Sequence, residues 1–356
     1  MILLNIVVSV SLALACLCSF INPKTIWWIG LFGLAYMYLL AFNVGFIVFW
    51  LLSRRKKMMV ISLFPIIAGW IFIGKNIQFF EKRIPEEDLG RSFKVLSFNI
   101  QGFQQANIKE ANHLPNLFDF FYEKDPDIIC MQEFETYRWD KKLTKAYITR
   151  KFNRMPYSHI VMIGDNYKNG IATLSKYPII HQELVYSDNT INACICSDLL
   201  IGKDTVRVYN IHLKSIGFHN EAIHLLNNVV KVEYGRSDVR VIQSIIRQIR
   251  TASYERSKQV EILSSHLANS PYPIILCGDF NDPPTSYSYR KVRGSLKDAF
   301  VEAGSGRSTT YNIGRIASLR IDCILFSDDF KAYNYESPRV MLSDHFPVMC
   351  RFVKQN

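Results

Sequence analysis

The chain has 356 residues, a formal net charge of +11 and eight cysteines, and 49% of its residues are hydrophobic. The length allows one large domain plus something smaller. The cysteine spacings match neither a disulfide framework nor a zinc site, and the positive charge suits an anionic substrate or an anionic membrane surface without choosing between them.

The hydrophobic residues are unevenly spread. Runs at 2–21, 26–52 and 58–80 are each about as long as the roughly 20 residues that a bilayer-crossing helix needs. The first two carry no charge, and the third carries Lys75 near its end. Three membrane helices are therefore expected in a region 1–80. The first run lacks the positive flank and the small-residue cleavage site of a signal peptide. A buried soluble core is the alternative, and uncharged runs of this length would need a much larger protein around them. Arg54, Arg55, Lys56 and Lys57 lie between the second and third runs and belong on the cytoplasmic side. Three spans then place the N-terminus inside and everything after residue 80 outside the cytoplasm, in a multi-pass inner or plasma membrane protein. The cluster Glu81, Lys82, Arg83 argues mildly the other way, as does the lack of disulfides. The charge rule carries more weight, because proteins outside the cytoplasm need no disulfides.

Residues 81–92 are charged and read as a linker. From 93 onward short strands and helices alternate. The strand over 93–100 ends at Asn99, which can reach a ligand or close a turn. A helix end at 116–123 precedes a buried strand that ends on Gln132 and Glu133. A carboxylate at the end of a run of four apolar residues and a glutamine needs a partner, either a divalent cation or a basic side chain. Residues 169–179 read as a strand and turn, and 206–214 as a strand ending near His212; a lone histidine is usually structural. Residues 239–268 form an amphipathic helix, on which Arg256 and Gln259 read as a solvated or packing face.

Next, four apolar residues, 274–277, run into Gly278, Asp279, Phe280, Asn281 and Asp282. This is a core strand breaking into turn chemistry. Asp279 and Asn281 can cap that strand as an Asx turn, or hold a metal-associated water or a phosphate oxygen. A short helix is expected at 296–300 and a glycine- and serine-rich loop at 304–308. The strand over 320–326 contains Asp322, and Asp344 and His345 precede Phe346 and Pro347. Taken together, Asn99, Glu133, His212, Asp279, Asn281, Asp322, Asp344 and His345 all sit beside hydrophobic strands. Hard carboxylates dominate and no cysteine joins them, which favours Mg²⁺ or Mn²⁺ over zinc.

The ordered motifs SFNIQG, MQE, NGIATLSKYPI, NIHLKS, GDFND, RIDCILFS and SDHFPV resemble the endonuclease/exonuclease/phosphatase superfamily of DNase I-like phosphohydrolases, over roughly residues 93–353. The resemblance leaves the first 92 residues uncovered. It implies an α/β four-layer sandwich, two packed mixed β-sheets flanked by helices, as a catalytic domain over 93–356. It further implies a metal site at Glu133 with Asn99 and Asp344, and His345 paired with Asp322 to orient and activate a water. Asp279 would position or deprotonate that water, and Asn281 and His212 would contact the scissile phosphate. In the DNase I branch the first histidine has a glutamate partner; Asp165 lies in the right region but in no recognisable motif. The stretches around 140–168 and 217–238, where branches differ in their substrate loops, match no known pattern. The expected activity is metal-dependent hydrolysis of phosphodiesters or phosphomonoesters, on nucleic acid or on a phospholipid headgroup, with the lipid bilayer as a partner and no protein partner indicated. The alternative is a catalytically inactive, membrane-tethered binding module on the same fold.

Overall fold

The computed structural model describes residues 1–103, 113–135, 148, 150–164, 169–188, 190–217, 236–313 and 317–355. Its strands are β1 Ser92–Asn99, β2 Ile128–Gln132, β3 Tyr157–Ile163, β4 Asn169–Ser175, β5 Ile179–Ser187, β6 Ala193–Ile201 and β7 Asp204–His212, followed by β8 Ile274–Asp279, β9 Lys297–Asp298, β10 Tyr311–Ile313, β11 Ala317–Leu319, β12 Asp322–Phe326, β13 Phe330–Glu336 and β14 Val348–Lys354. They form two six-stranded mixed sheets, ordered β13-β14-β1-β2-β4-β3 and β5-β6-β7-β8-β12-β9, and a small hairpin β10-β11. In each sheet the central pair, β1/β2 or β7/β8, is parallel and the other pairings are antiparallel.

The period-2 alternation of side chains decides the layering. Val95, Ile128, Val208, Ile275, Cys277, Ile324 and Cys350 face inward and pack the two sheets together. Their neighbours Leu96, Phe98, Ile129 and Met131 face out under the helix His113–Lys124. Tyr209, Ile211, Leu276 and Cys323 face out on the other side, under the helices Arg236–Ala268 and Tyr287–Arg293. This is the helix, sheet, sheet, helix sandwich that the motifs imply.

Two local expectations change. The helix expected at 296–300 is instead β9 followed by a helix Ala299–Ala303, because the Asp298 side chain accepts from the Phe300 amide and caps the helix there. The long helix begins at Arg236. Asp165, with the rest of 165–168, residues 140–147 and 149, and most of 217–238 fall outside the described residues.

The first eighty residues differ more. The helix expected over 2–21 is α1, Ile2–Leu17. The run 26–52 splits into a turn Trp27–Ile29, α2 Gly30–Leu34 and α3 Tyr36–Leu52, with a bend of 61° between Trp27–Leu34 and Tyr36–Leu52. There the Thr285 hydroxyl donates to the Gly33 carbonyl at 3.0 Å, drawing the end of α2 onto the sandwich. The run 58–80 becomes a turn Lys56–Met59, then α4 Val60–Ala68 and α5 Trp70–Gly74. Pro65 cannot donate an amide hydrogen. Gly69 lies so close to α1 that a Cβ there would sit 2.5 Å from Cys16 Sγ. Among the described residues no single helix is long and apolar enough to cross a membrane, although the bent pair passes by length and composition together.

The helices pack with a polar interior. Asn5 Nδ2 donates to Ser62 Oγ at 2.6 Å, Ser9 Oγ to Asn43 Oδ1 at 2.7 Å, and Trp50 Nε1 to Asn5 Oδ1 at 2.8 Å. Large apolar side chains face outward, among them Leu3, Phe42, Leu52, Phe64, Ile67 and Trp70. The expected linker is pinned to the sandwich. Gln78 exchanges backbone hydrogen bonds with Gly306, and Ile84 N donates to Asn334 Oδ1.

Candidate active site

All eight residues singled out from the sequence gather at one edge of the sandwich. Register accounts for most of this. β1 and β2 run in parallel with Asn99 beside Gln132, so Glu133 follows at the same edge. His212 pairs with Asp279 across β7/β8, and Asp279 with Asp322 across β8/β12. The loop before β14 adds Asp344 and His345, tied down where the Ser343 hydroxyl donates to the Asn99 carbonyl at 2.8 Å.

Buried Asp279 is the hub. Its carboxylate accepts from the Asn281 amide at 2.7 Å, from Asn281 Nδ2 at 3.2 Å and from Asn99 Nδ2 at 3.1 Å. Asn99 Nδ2 also reaches Glu133 Oε1 at 3.1 Å, and Asn281 Nδ2 reaches the Leu213 carbonyl at 3.0 Å. His345 Nδ1 lies 2.9 Å from Asp322 Oδ2, and its Nε2 lies 3.8 Å from Asp279 Oδ2. His212 Nε2 lies 3.6 Å from Glu133 and 3.7 Å from Asp279. Glu133 takes φ of 49°, a left-handed backbone uncommon for glutamate, and Asn281 takes 50°, which asparagine adopts more readily.

Charge and burial set the protonation. Burial, with Asp322 close by, pushes the Asp279 carboxyl up to about 6, against the pull of His345 and His212. Burial opposes the charge on His345, yet Asp322 and Asp279 outweigh it and lift the imidazole to about 10. Burial also raises the Asp344 carboxyl; His345 offsets this and Glu133 adds to it by like-charge repulsion.

The oxygen donors fit a hard divalent cation. Glu133 and Asp344 repel one another, which a cation between them would relieve. His212 Nε2 and Asp322 Oδ1 are buried without a hydrogen-bond partner at the same edge. Asp279, Asp322 and His345 also bring ligand atoms within 4.8 Å of one another, but Asp322 and His345 are already engaged with each other.

Several participants are not apparent from the sequence. The Tyr311 ring lies 4.7 Å from the His345 ring, and burial, then Asp344 and Asp279, push its hydroxyl up to about 12. The Thr310 hydroxyl accepts from the Asp322 amide at 3.0 Å. His212 Nδ1 contacts the Ile191 carbonyl at 3.0 Å, so a backbone oxygen stands where a carboxylate partner was expected. Beneath the site Gln132 Nε2 donates to Asn210 Oδ1 at 2.7 Å. Arg256 and Gln259 form a buried packing face: Arg256 pairs with Asp282 and Gln259 Oε1 accepts from the Lys214 amide.

Gly278, at φ 147°, lets β7 approach the strand that carries Asp279; a Cβ there would fall 2.0 Å from the Ile211 carbonyl oxygen. Gly278→Ala is expected to cost about 3 kcal/mol of stability and to depress activity, as thermal unfolding and an activity assay would report. An unchanged melting temperature would refute this account of the strand pair.

Residues 96–345 match the profile of the endonuclease/exonuclease/phosphatase family, and residues 1–76 match a domain of unknown function. No curated protein matches the chain. Among solved structures, the fold is similar to truncated Caenorhabditis elegans TDP2, at 19% identity and a TM-score of 0.52, covering 74% of this chain and 98% of that one. It is also similar to the human Nocturnin catalytic domain with a bound sulfate anion, at 15% identity and TM-score 0.52, covering 78% and 97%. A third is D. rerio TDP2 complexed with a single strand DNA product, at 14% identity and TM-score 0.51, covering 73% and 98%. At these identities the structures speak to fold alone, whereas the profile spans well over half of the sequence: the chain belongs to the endonuclease/exonuclease/phosphatase family and is a phosphoric ester hydrolase.

Proposed function

We propose that this protein is a membrane-tethered phosphodiesterase, dependent on Mg²⁺ or Mn²⁺, in which a water attacks phosphorus. The observation that carries this reading is the convergence of a buried carboxylate, Asp279, with the Asp322–His345 pair at 2.9 Å. Glu133, Asn99 and Asp344 would hold the cation, which when bound neutralises charge on the phosphoryl oxygens. Asp279, in its ionised form, takes the proton from the attacking water. His345, kept as an imidazolium by Asp322, is oriented to donate toward the phosphate as negative charge develops. His212 and Asn281 would contact the phosphate at the same edge.

Residues 1–80 would form the membrane region, 81–92 the connection and 93–356 the catalytic domain. Supporting this, the helices place hydrogen-bonded Asn and Ser inside and large apolar side chains outside, the arrangement expected when lipid replaces water. The chain ends that meet the sandwich are those near residues 18–35 and 75–82, through contacts such as Cys18 Sγ to the Thr285 carbonyl at 3.0 Å and Arg320 to the Lys75 carbonyl at 2.8 Å. The basic cluster at 54–57 lies on the connection between α3 and α4. This agrees with an extracytoplasmic catalytic domain. A reporter enzyme active only outside the cytoplasm, fused after residue 92, is then expected to be active. Activity solely from a cytoplasmic reporter at that position would reverse the orientation.

Between nucleic acid and a phospholipid headgroup, a cavity of about 370 Å³ favours the lipid. Tyr36, Met37 and Ala41 line one side, and Thr285, Arg307 and Thr309 line the other. It thus joins the outward-facing apolar helices to loops that flank Asp279 and Tyr311. The DNA product bound to D. rerio TDP2 keeps nucleic acid as the competing class. The full-length protein in detergent, assayed with Mg²⁺ and with EDTA on sphingomyelin, inositol phosphates, plasmid DNA and abasic DNA, separates the two. Metal-dependent turnover of the lipid alone is expected. Turnover of DNA alone would assign the nuclease class, and equal turnover in EDTA would remove the metal.

A further inference from the structure

Away from the catalytic edge, a second group of ligating side chains meets on the outer face of the second sheet, beneath the last turn of the helix Arg236–Ala268. Glu183 of β5 and Cys196 of β6 are register partners, and Cys196 pairs in turn with Tyr209 of β7. His266, from the last turn of the helix, comes down onto them. Cys196 Sγ lies 3.5 Å from Glu183 Oε2, and His266 Nε2 lies 3.3 Å from Glu183 Oε1. The ligand atoms of these three residues all lie within 4.8 Å of one another. His181, two residues before Glu183, places Nε2 at 3.7 Å from Glu183 Oε2 and is half exposed.

The three ligand atoms are close enough for a single ion to reach all of them, with Glu183 turning so that one oxygen faces both Cys196 Sγ and His266 Nε2, which now contact different oxygens. Around a tetrahedral ion with Zn–S of about 2.3 Å and Zn–N and Zn–O of about 2.0 Å, sulfur and oxygen ligands stand about 3.5 Å apart and nitrogen and oxygen ligands about 3.3 Å apart. The chemistry selects zinc as well, because a thiolate with imidazoles and a single carboxylate is a poor set for Mg²⁺ or Ca²⁺. The imidazole is already steered. His266 Nδ1 sits 2.8 Å from the hydroxyl of fully buried Tyr209, which leaves Nε2 facing the cluster. The adjacent charges do not compete for Glu183, since Arg207 is engaged by Asp198 through bonds of 2.7 and 2.8 Å.

We propose that Glu183, Cys196 and His266, completed by His181, form a structural zinc site that pins the edge strand β5 to the C-terminal turn of the long helix. Binding exchanges the Cys196 thiol proton, released to solvent, for the metal–sulfur bond. Four protein ligands leave no open position, so the ion holds structure and takes no part in hydrolysis. The placement suits a staple: β5 is a sheet edge that leaves Ile180 and Leu184 exposed, and the ion would add to its ladder with β6 a direct tie to the helix end.

The test uses the full-length protein in detergent, stripped of metal and titrated with Co²⁺ and then Zn²⁺. Wild type is expected to develop a thiolate-to-cobalt charge-transfer band that zinc abolishes. Cys196→Ser, nearly isosteric, is expected to lose the band and to retain one zinc fewer per chain than wild type after gel filtration. Glu183→Gln, at a partly exposed position, weakens zinc binding with the fold intact, and zinc raises the melting temperature of wild type but not of Cys196→Ser. Because the cobalt band requires a thiolate, metal held at the catalytic carboxylates does not produce it. The proposal is overturned if no charge-transfer band appears, or if Cys196→Ser leaves the band and the zinc content unchanged.

Discussion

Asp279→Asn and His345→Ala are each expected to lower the single-turnover rate by about a thousandfold, and the double variant to be little slower than the poorer single. A thousandfold corresponds to about 4 kcal/mol of barrier, at about 1.36 kcal/mol per tenfold. The reason lies in how the two side chains are held. Asp279 is buried at the end of β8 and its Oδ2 is 3.8 Å from His345 Nε2, so both face the same small volume. Their charges are interdependent: the carboxylate is among the groups that keep the imidazole protonated, and the imidazolium opposes the rise of the carboxyl. Groups that serve one step lose their effect together. Asp322→Asn is expected to do less harm, since it removes orientation and charge support while leaving the imidazole in place. Losses that simply multiply would mean that Asp279 and His345 act on different steps. The same assignment fixes the pH dependence. Asp279 works ionised and its carboxyl lies at about 6, so kcat/KM is expected to fall as pH drops through about 6 or somewhat below, because a bound cation favours the carboxylate. The acid limb disappears in Asp279→Asn.

The second large effect is expected from Glu133→Gln, which should remove most activity and leave the melting temperature nearly unchanged. The Glu133 side chain is partly exposed, and its hydrogen bond from Asn99 Nδ2 at 3.1 Å can be kept by the amide oxygen of glutamine. The charge is what is lost. It is one of the two carboxylates that would hold the cation, and its repulsion of Asp344 also disappears. Metal titration by calorimetry, run beside the activity assay, separates the possibilities. Weakened Mg²⁺ binding with a preserved fold is the expected result. Full activity in this variant would remove Glu133 from the metal site.

How much of this was legible beforehand follows from the range of each interaction. Asn99, Glu133, Asp279 and His345 were visible because each ends or interrupts a hydrophobic strand, and a polar residue in that position is a local pattern. The sandwich followed from the family resemblance that the motifs carry, whereas the strand order is known from the structure. Tyr311 carried no such mark: it follows a run of serine and threonine and becomes part of the site only when Tyr311 bridges to His345. The partner of His212 was sought among carboxylates, yet it is the Ile191 carbonyl, which every residue possesses and no side chain announces.

The N-terminal runs show the same division. Their apolar composition is fixed by the sequence, but the bend after α2 is drawn by Thr285, a residue more than two hundred positions away. The zinc ligands are the extreme case. Glu183, Cys196 and His266 have no metal-binding spacing along the chain, and the register of β5 on β6 and the descent of the long helix bring them together. The sequence by itself determined the core strands that carry the site, their apolar runs and the polar residues at their ends, because periodicity and turn chemistry act over a few residues. Only the tertiary structure decided the bend of the helices, the backbone partner of His212, the place of Tyr311 and the second cluster, because those contacts join residues far apart in the chain and leave no local pattern in it.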